Sequence, residues 1–226
     1  VVFNGLLQSA KDPLARQAIM KTQIIEDVKK GSLRSAYVEA SFYDAKKDLE
    51  KSRYEIISLE QMALLRVQEG KGAFISQNGN WTREGFVYVP QKGIFLTKNS
   101  PIMESAEKAT ECHKNKRVFH PTSKQIENAL ADSCKVTDLS IPSLKLAEEE
   151  LTAYAFGNQA KAYGEFLKEA GINTFKIYTP NIQEKTFATQ AWFGWLVSGS
   201  RLDGGDRDLC GGLFYYYKAR GVQANS

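Results

Sequence analysis

The 226-residue sequence predicts an α+β fold, with a helical N-terminal segment over residues 1–70 and a mixed domain over residues 71–226. Three observations predict it. Apolar residues recur at helical spacing up to about residue 70, the period then changes to strand-like alternation, and helix-capping signals return after Ser100. The composition, 42% hydrophobic and 25% charged, is that of a folded globular chain. No run approaches 18 apolar residues and the mean hydropathy is −0.38, so no spanning helix and no direct membrane insertion is expected.

In the N-terminal segment, Asp12-Pro13 supplies an N-cap and a first-turn proline, and Leu14, Ile19, Ile24, Ile25 and Val28 make an apolar stripe that Gly31 ends. A second stripe, Leu33, Tyr37, Phe42, Leu49 and Tyr54, stands opposite Asp44, Lys46, Lys47, Glu50 and Lys51. Ser58 and Gln61 have capping-box spacing for a third helix. Acids and bases alternate along these helices, which fits a packed bundle rather than a membrane-surface helix.

Beyond a domain boundary near residue 70, Ala73 to Ser76, Gly85 to Val89 and Ile94 to Thr97 read as strands, with Asn78-Gly79 and Lys92-Gly93 as turns. Ser100-Pro101 opens a helix to Lys114, and Thr122 with Gln125 gives a capping box for a helix to Ser133. Helical stretches follow over Ser143 to Phe156 and Asn158 to Ala170, the latter stopped by Gly171, and Thr174 to Thr179 is a strand. From Trp192 onward neither period fits, and 7 of the 17 glycines fall within residues 194–221. This tail reads as loop-rich.

Charge and cysteine usage narrow the function. The 30 Lys and Arg against 26 Asp and Glu leave +4 spread along the chain, which argues against nucleic acid as the main partner. Cys112, Cys134 and Cys210 are too few for a disulfide scaffold. No charged and then apolar leader follows Val1, so an export signal is not expected within these residues. Asn80-Trp81-Thr82 has the form of a glycosylation sequon, a pattern that alone carries little.

The tail carries the functional signal. Val197 to Tyr217 contains no Lys, Glu, Gln, Met or Trp, five types that together make up 56 of the 226 residues. No codon ending in C encodes any of the five, whereas every residue in the window has such a codon. Asn codons of the form AAC, randomised at their adenines, would leave this footprint. Its Tyr residues among Gly, Ser and Asp have the composition of an evolved binding surface, where Tyr gives large amphipathic contact at low rotamer cost. Leu213 to Tyr217 also suits a buried aromatic strand, and the two readings can hold for different tyrosines.

The run Trp192-Phe193, Leu196, Ser200, Leu202, Gly204, Arg207, Leu209 and Ala219-Arg220-Gly221-Val222 resembles the variable region, here residues 192–222, of the target proteins of diversity-generating retroelements. Upstream, Lys116 to Thr122 and Gln125 to Ala129 resemble the two-helix segment of C-type-lectin-fold domains related to formylglycine-generating enzymes, with His120 and Gln125-Ile126 departing from the usual pattern. The resemblance implies a C-type-lectin fold for residues 71–226 and a diversified binding face made by Gly194, Val197, Ser198, Gly199, Arg201, Asp203, Gly205, Asp206, Asp208, Cys210, Gly211, Gly212, Tyr215, Tyr216 and Tyr217. It implies an unidentified protein or surface receptor as ligand, and a virion or cell surface as location. Trp192, Leu196, Leu202 and Leu209 are expected to be buried, and most of Val197, Ser198, Arg201, Asp203, Asp206 and Asp208 exposed. Gly199, Gly205, Gly211 and Gly212 are expected to accept larger side chains unless their φ is positive.

Rival chemistries find less support in the sequence. Asp203, Asp206 and Asp208 beside Gly204-Gly205 could hold calcium, as in sugar-binding C-type lectins, but lack EF-hand spacing and neighbour Arg201 and Arg207. Cys112, His113, His120 and Cys134 suggest zinc, yet adjacent helical residues project about 100° apart and do not easily ligate one ion. Formylglycine-generating enzymes rely on a pair of cysteines towards the C-terminal end, and after Cys134 only Cys210 remains. No G-x-S-x-G elbow is present for a hydrolase. Neither an enzyme, nor a cofactor, nor a metal requirement is expected.

Overall fold

In a computed structural model, which describes residues 23–25, 33–179, 184–204 and 218–223, the central strand is β4, Asn80–Val89. Its side chains alternate between two cores: Phe86 and Tyr88 belong to one, Val87 and Val89 to the other. The sheet is therefore covered on both faces. The strand β9, Phe187–Phe193, lies antiparallel to β4 and is buried along its whole length.

Around this pair the described strands follow the order β1 (Gln23–Ile25), β2 (Ser35–Glu39), β11 (Lys218–Gln223), β4, β9, β10 (Arg201–Asp203), β8 (Thr174–Tyr178) and β7 (Ser140–Pro142). Strand β3 (Tyr54–Ile56) also pairs with β11, and β5 (Gly93–Thr97) joins β4 to β6 (Ser133–Lys135). The β4–β5 hairpin turns where expected: Gln91 and Gly93 have φ of 63° and 117°, and the Lys92 N–H donates to the Val89 carbonyl.

The helices are α1 (Phe42–Lys51), α2 (Leu59–Glu69), α3 (Phe74–Gln77), α4 (Pro101–Glu104), α5 (Ala106–Lys114), α6 (Ser123–Ala131), α7 (Glu150–Phe156) and α8 (Ala160–Glu169). Both expected capping boxes form, Ser58 with Gln61 on α2 and Thr122 with Gln125 on α6. Gly171, with φ of 84°, follows α8 as anticipated.

The N-terminal segment departs most from the sequence reading. Gln23–Ile25 is a strand paired with β2, not helix, and the rest of the Asp12-Pro13 helix lies outside the described residues. The second stripe divides into β2, α1 and β3, because Ser41 caps α1 through the Asp44 N–H and Arg53 turns the chain at φ of 62°. No domain boundary stands at residue 70: β2 and β3 hydrogen-bond to the C-terminal β11, and Leu59, Met62 and Leu65 of α2 enter the main core.

Smaller differences follow the same logic. Ala73 to Ser76 lies at a short helix, held by the Asn78 side chain on the Phe74 carbonyl. Gly79 is not at a hairpin tip; a Cβ there would strike the Trp192 indole. The helix expected over Ser100 to Lys114 breaks at Ser105, whose φ is −123°. Short 3₁₀ turns, Ser143–Lys145 and Gly157–Gln159, replace parts of the two following helices.

Candidate functional site

The candidate site lies where β9 ends and β10 and β11 begin. From Gly194 to Arg201 the chain leaves β9 and returns in β10, closed by Gly194 N–H to the Arg201 carbonyl at 2.8 Å, Ser200 N–H to Trp195 at 3.2 Å and Gly199 N–H to Leu196 at 2.8 Å. Leu196 is a buried peg at 7% exposure, and its neighbour Val197 stands out at 79%. One residue apart, the two have opposite environments.

Beneath this connection lies Arg66 of α2, fully buried. Its Nη2 donates to the Gly194 carbonyl at 2.7 Å, its Nη1 to Ser200 Oγ at 3.2 Å and Tyr163 Oη at 3.1 Å, and its Nε to the Ile75 carbonyl at 3.2 Å. The guanidinium lies 4.3 Å from the centroid of the Phe193 ring. These partners are neutral acceptors and a ring face, so the buried cation is stabilised by directed hydrogen bonds rather than by a carboxylate among them. Tyr163 and Ser200 are also within 2.6 Å of each other. The chain is thus tied to α2 and α8 on both sides of Val197.

The far side is fixed as firmly. The Gly204 carbonyl accepts from Tyr88 Oη at 2.7 Å and Thr189 Oγ1 at 2.6 Å, and its N–H donates to the Tyr178 carbonyl at 2.7 Å. A Cβ at Gly204 would approach Phe86 to 2.5 Å and Tyr88 Oη to 2.7 Å, so only glycine fits. Residues 205–217 then lie between Gly204 and β11, where Lys218 and Ala219 pair with Asn80 and Trp81 of β4, and with Glu39 and Val38 of β2. Arg220, also buried, donates to Ser35 Oγ at 2.6 Å; burial lowers its pKa to about 10.

The expected division between framework and gaps is realised in part. Trp192, Phe193, Leu196, Ser200, Leu202, Gly204, Ala219, Arg220, Gly221 and Val222 are all buried, and Val197 is exposed. Asp203 corrects the expectation: it is only 5% exposed, and Arg201 is half-buried. The cause is β10, which is hydrogen-bonded on both sides, to β9 and β8, so residues alternating with Leu202 face Trp192 and Tyr178 rather than water. The Arg201 Nε is 3.7 Å from Asp203 Oδ2, and its guanidinium lies 5.0 Å from the Tyr178 ring. Gly194 is buried, with a Cβ meeting Arg201 and Trp192 at 3.0 Å, and Gly199 has φ of 89°; both belong to the frame. The side chain of Ser198, and Gly205, Asp206, Asp208, Leu209, Cys210, Gly211, Gly212 and Tyr215 to Tyr217, lie outside the described residues.

Tyr178 is the residue that the sequence run missed. It ends β8, is 44% exposed, and stacks with Arg201 beside the start of the undescribed segment. The alternation Phe175 and Ile177 inward, Lys176 and Tyr178 outward, was the signal available for it. Among the described residues no three His, Cys, Asp or Glu side chains gather as a metal-ligand set. His113 and His120 do not join Cys112 and Cys134 in one, as Cys134 is buried on β6.

No known protein family matches the sequence, and no curated protein matches it either. In three dimensions the chain is similar to a solved structure described as "Accommodation of massive sequence variation in Nanoarchaeota by the C-type lectin fold". The likeness has a TM-score of 0.51 at 12% identity and covers 87% of this chain and 100% of that one. The fold is α+β, of the C-type lectin type.

Proposed function

We propose that this chain is a hypervariable binding protein that displays a diversified surface on a C-type-lectin scaffold and recognises a protein or surface receptor, with no catalytic step. One observation carries the reading: every described residue of the framework run is buried and the chain is anchored at Gly194, Gly204 and Ala219, whereas Val197, within a gap, faces solvent. Such a frame tolerates exchange of exposed residues without loss of the core. The solved structure it resembles is described as a fold accommodating massive sequence variation, which supports the same reading. The face would comprise Val197, the residues 205, 206, 208, 210–212 and 215–217, and Tyr178 with Arg201 at its border.

Sequencing the DNA around the coding region tests the genetic side of the proposal. It should contain a near-copy of the segment for residues 192–222, with AAC-type codons at the gap positions, beside a reverse transcriptase gene. A locus with neither would remove diversification from the proposal and leave a binding domain of fixed sequence.

A further inference from the structure

A cavity lies at the opposite end of β9 from Gly194, roughly 20 Å away along the strand. It encloses about 450 Å³ and is lined by Lys108, Cys112, Arg117, Val118, Phe119 and His120. Three of the six carry basic groups and none is a carboxylate. From Lys108 to His120 the exposed ionisable side chains are Lys108, Lys114, Lys116, Arg117 and His120 against Glu111 alone.

The arrangement is built rather than incidental to a helix end. Lys108 sits in the first turn of α5, where a cation opposes the helix dipole, so helix stability does not explain it. It lies one turn from Cys112, on the same helix face. The Arg117 N–H donates to the Cys112 carbonyl at 2.9 Å, which folds the segment after α5 back over the helix. His120 is oriented by its Nδ1, which donates to the Thr186 carbonyl at 2.8 Å. The Ala188 N–H donates to the Phe119 carbonyl at 3.1 Å and fastens this segment to β9, with the Phe119 ring buried in the core. Basic side chains from three points of the chain thus line one cavity with Val118.

We propose that this cavity binds a small organic oxyanion, a phosphate monoester or carboxylate, whose charged group meets Arg117 and Lys108 with the His120 ring at its edge, and whose apolar part rests on Val118. Arg117 offers the planar fork that phosphate and carboxylate share, and Lys108 a mobile point charge.

Cys112 provides a built-in reporter. In the full chain, its alkylation by iodoacetamide is followed on the peptide that carries it, with phenyl phosphate and benzoate as probes and phenol as the neutral control. Saturable protection by phenyl phosphate, by benzoate, or by both supports the proposal and distinguishes the two anions. The exposed substitutions Lys108→Gln and Arg117→Gln should together raise the half-protecting concentration about tenfold. Unchanged folding, checked by circular dichroism, separates that effect from damage. Equal protection by phenol, protection that survives both substitutions, or protection only by a polyanion such as heparin would each overturn the proposal.

Discussion

Arg66 Nη2 donates to the carbonyl oxygen of Gly194 at 2.7 Å, joining residues 128 positions apart in sequence. This contact makes the frame of the candidate face depend on a helix outside the variable region. Replacing Arg66 by Met should leave the Gly194 carbonyl, Ser200 Oγ and Tyr163 Oη short of a donor in a buried site. A loss of about 3 kcal/mol is expected in denaturant unfolding. Arg66→Lys should not restore it, since one ammonium cannot span acceptors on both sides of the guanidinium fork. Unfolding midpoints like those of the unsubstituted protein would show that the connection holds without the clamp.

Leu202 and Val197 should respond oppositely to truncation. Leu202→Ala removes a buried side chain and should cost roughly 2–5 kcal/mol, whereas Val197→Ser should stay within about 0.5 kcal/mol of neutral. Equal melting-temperature losses would place Val197 in the core.

Glu84 gives a pH dependence with a definite sign. It sits at the register shift of β4, fully buried, and its Oε2 accepts from the Leu59 N–H at the start of α2 at 3.0 Å. Burial pushes its pKa from 4.5 up to about 7. The folded state then holds this proton longer than the unfolded state, so stability is highest below pH 4.5 for this group and falls as pH rises to about 7. The loss is on the order of 3 kcal/mol. Glu84→Gln keeps an acceptor for Leu59 and should remove the slope, making the variant more stable than the parent at pH 8. A parent and variant with parallel pH profiles would contradict this.

The glycines divide into frame and face. Gly79→Ala forces a Cβ into the Trp192 indole and should destabilise by roughly 1–3 kcal/mol, measured by thermal unfolding. Gly199, at φ of 89°, should resist substitution by β-branched residues. A neutral outcome at Gly79 would mean that Trp192 can move, and one at Gly199 that its backbone does not need the left-handed conformation.

The legibility of the fold follows from where burial is one-sided. The capping boxes at Ser58 and Thr122 and the Lys92-Gly93 hairpin are local chemistry, and all three form. Strand β9 escaped because Phe187, Ala191 and Phe193 enter one core while Ala188 and Trp192 enter the other, leaving no alternation to read. Strands β2 and β3 escaped because each is short and is defined by pairing with β11, 165 to 187 positions later in the chain. Within the site, the framework positions were legible from the run itself. The burial of Asp203 was not, since it depends on β8 and β9 flanking a three-residue strand. Arg66 gave no signal, because an arginine in an amphipathic helix ordinarily faces water.

Recognition, if it resides in the face, should be concentrated in few aromatic anchors. At least one of Tyr178→Ala, Tyr215→Ala, Tyr216→Ala and Tyr217→Ala should cost more than about 2 kcal/mol of ligand affinity with little change in melting temperature. Four equal, small losses would contradict an anchored surface.

A displayed library tests the division between scaffold and face most directly. Positions 197, 205, 206, 208, 210–212 and 215–217 are randomised while Arg66, Trp192, Gly194, Leu196, Gly199, Leu202, Gly204, Arg207, Leu209 and Arg220 are held, and folded fraction and ligand preference are scored together. Most members should be soluble and cooperatively folded, and selection should yield variants with new ligand preferences. Widespread misfolding, or folded members that all keep one preference, would contradict a variable binding surface.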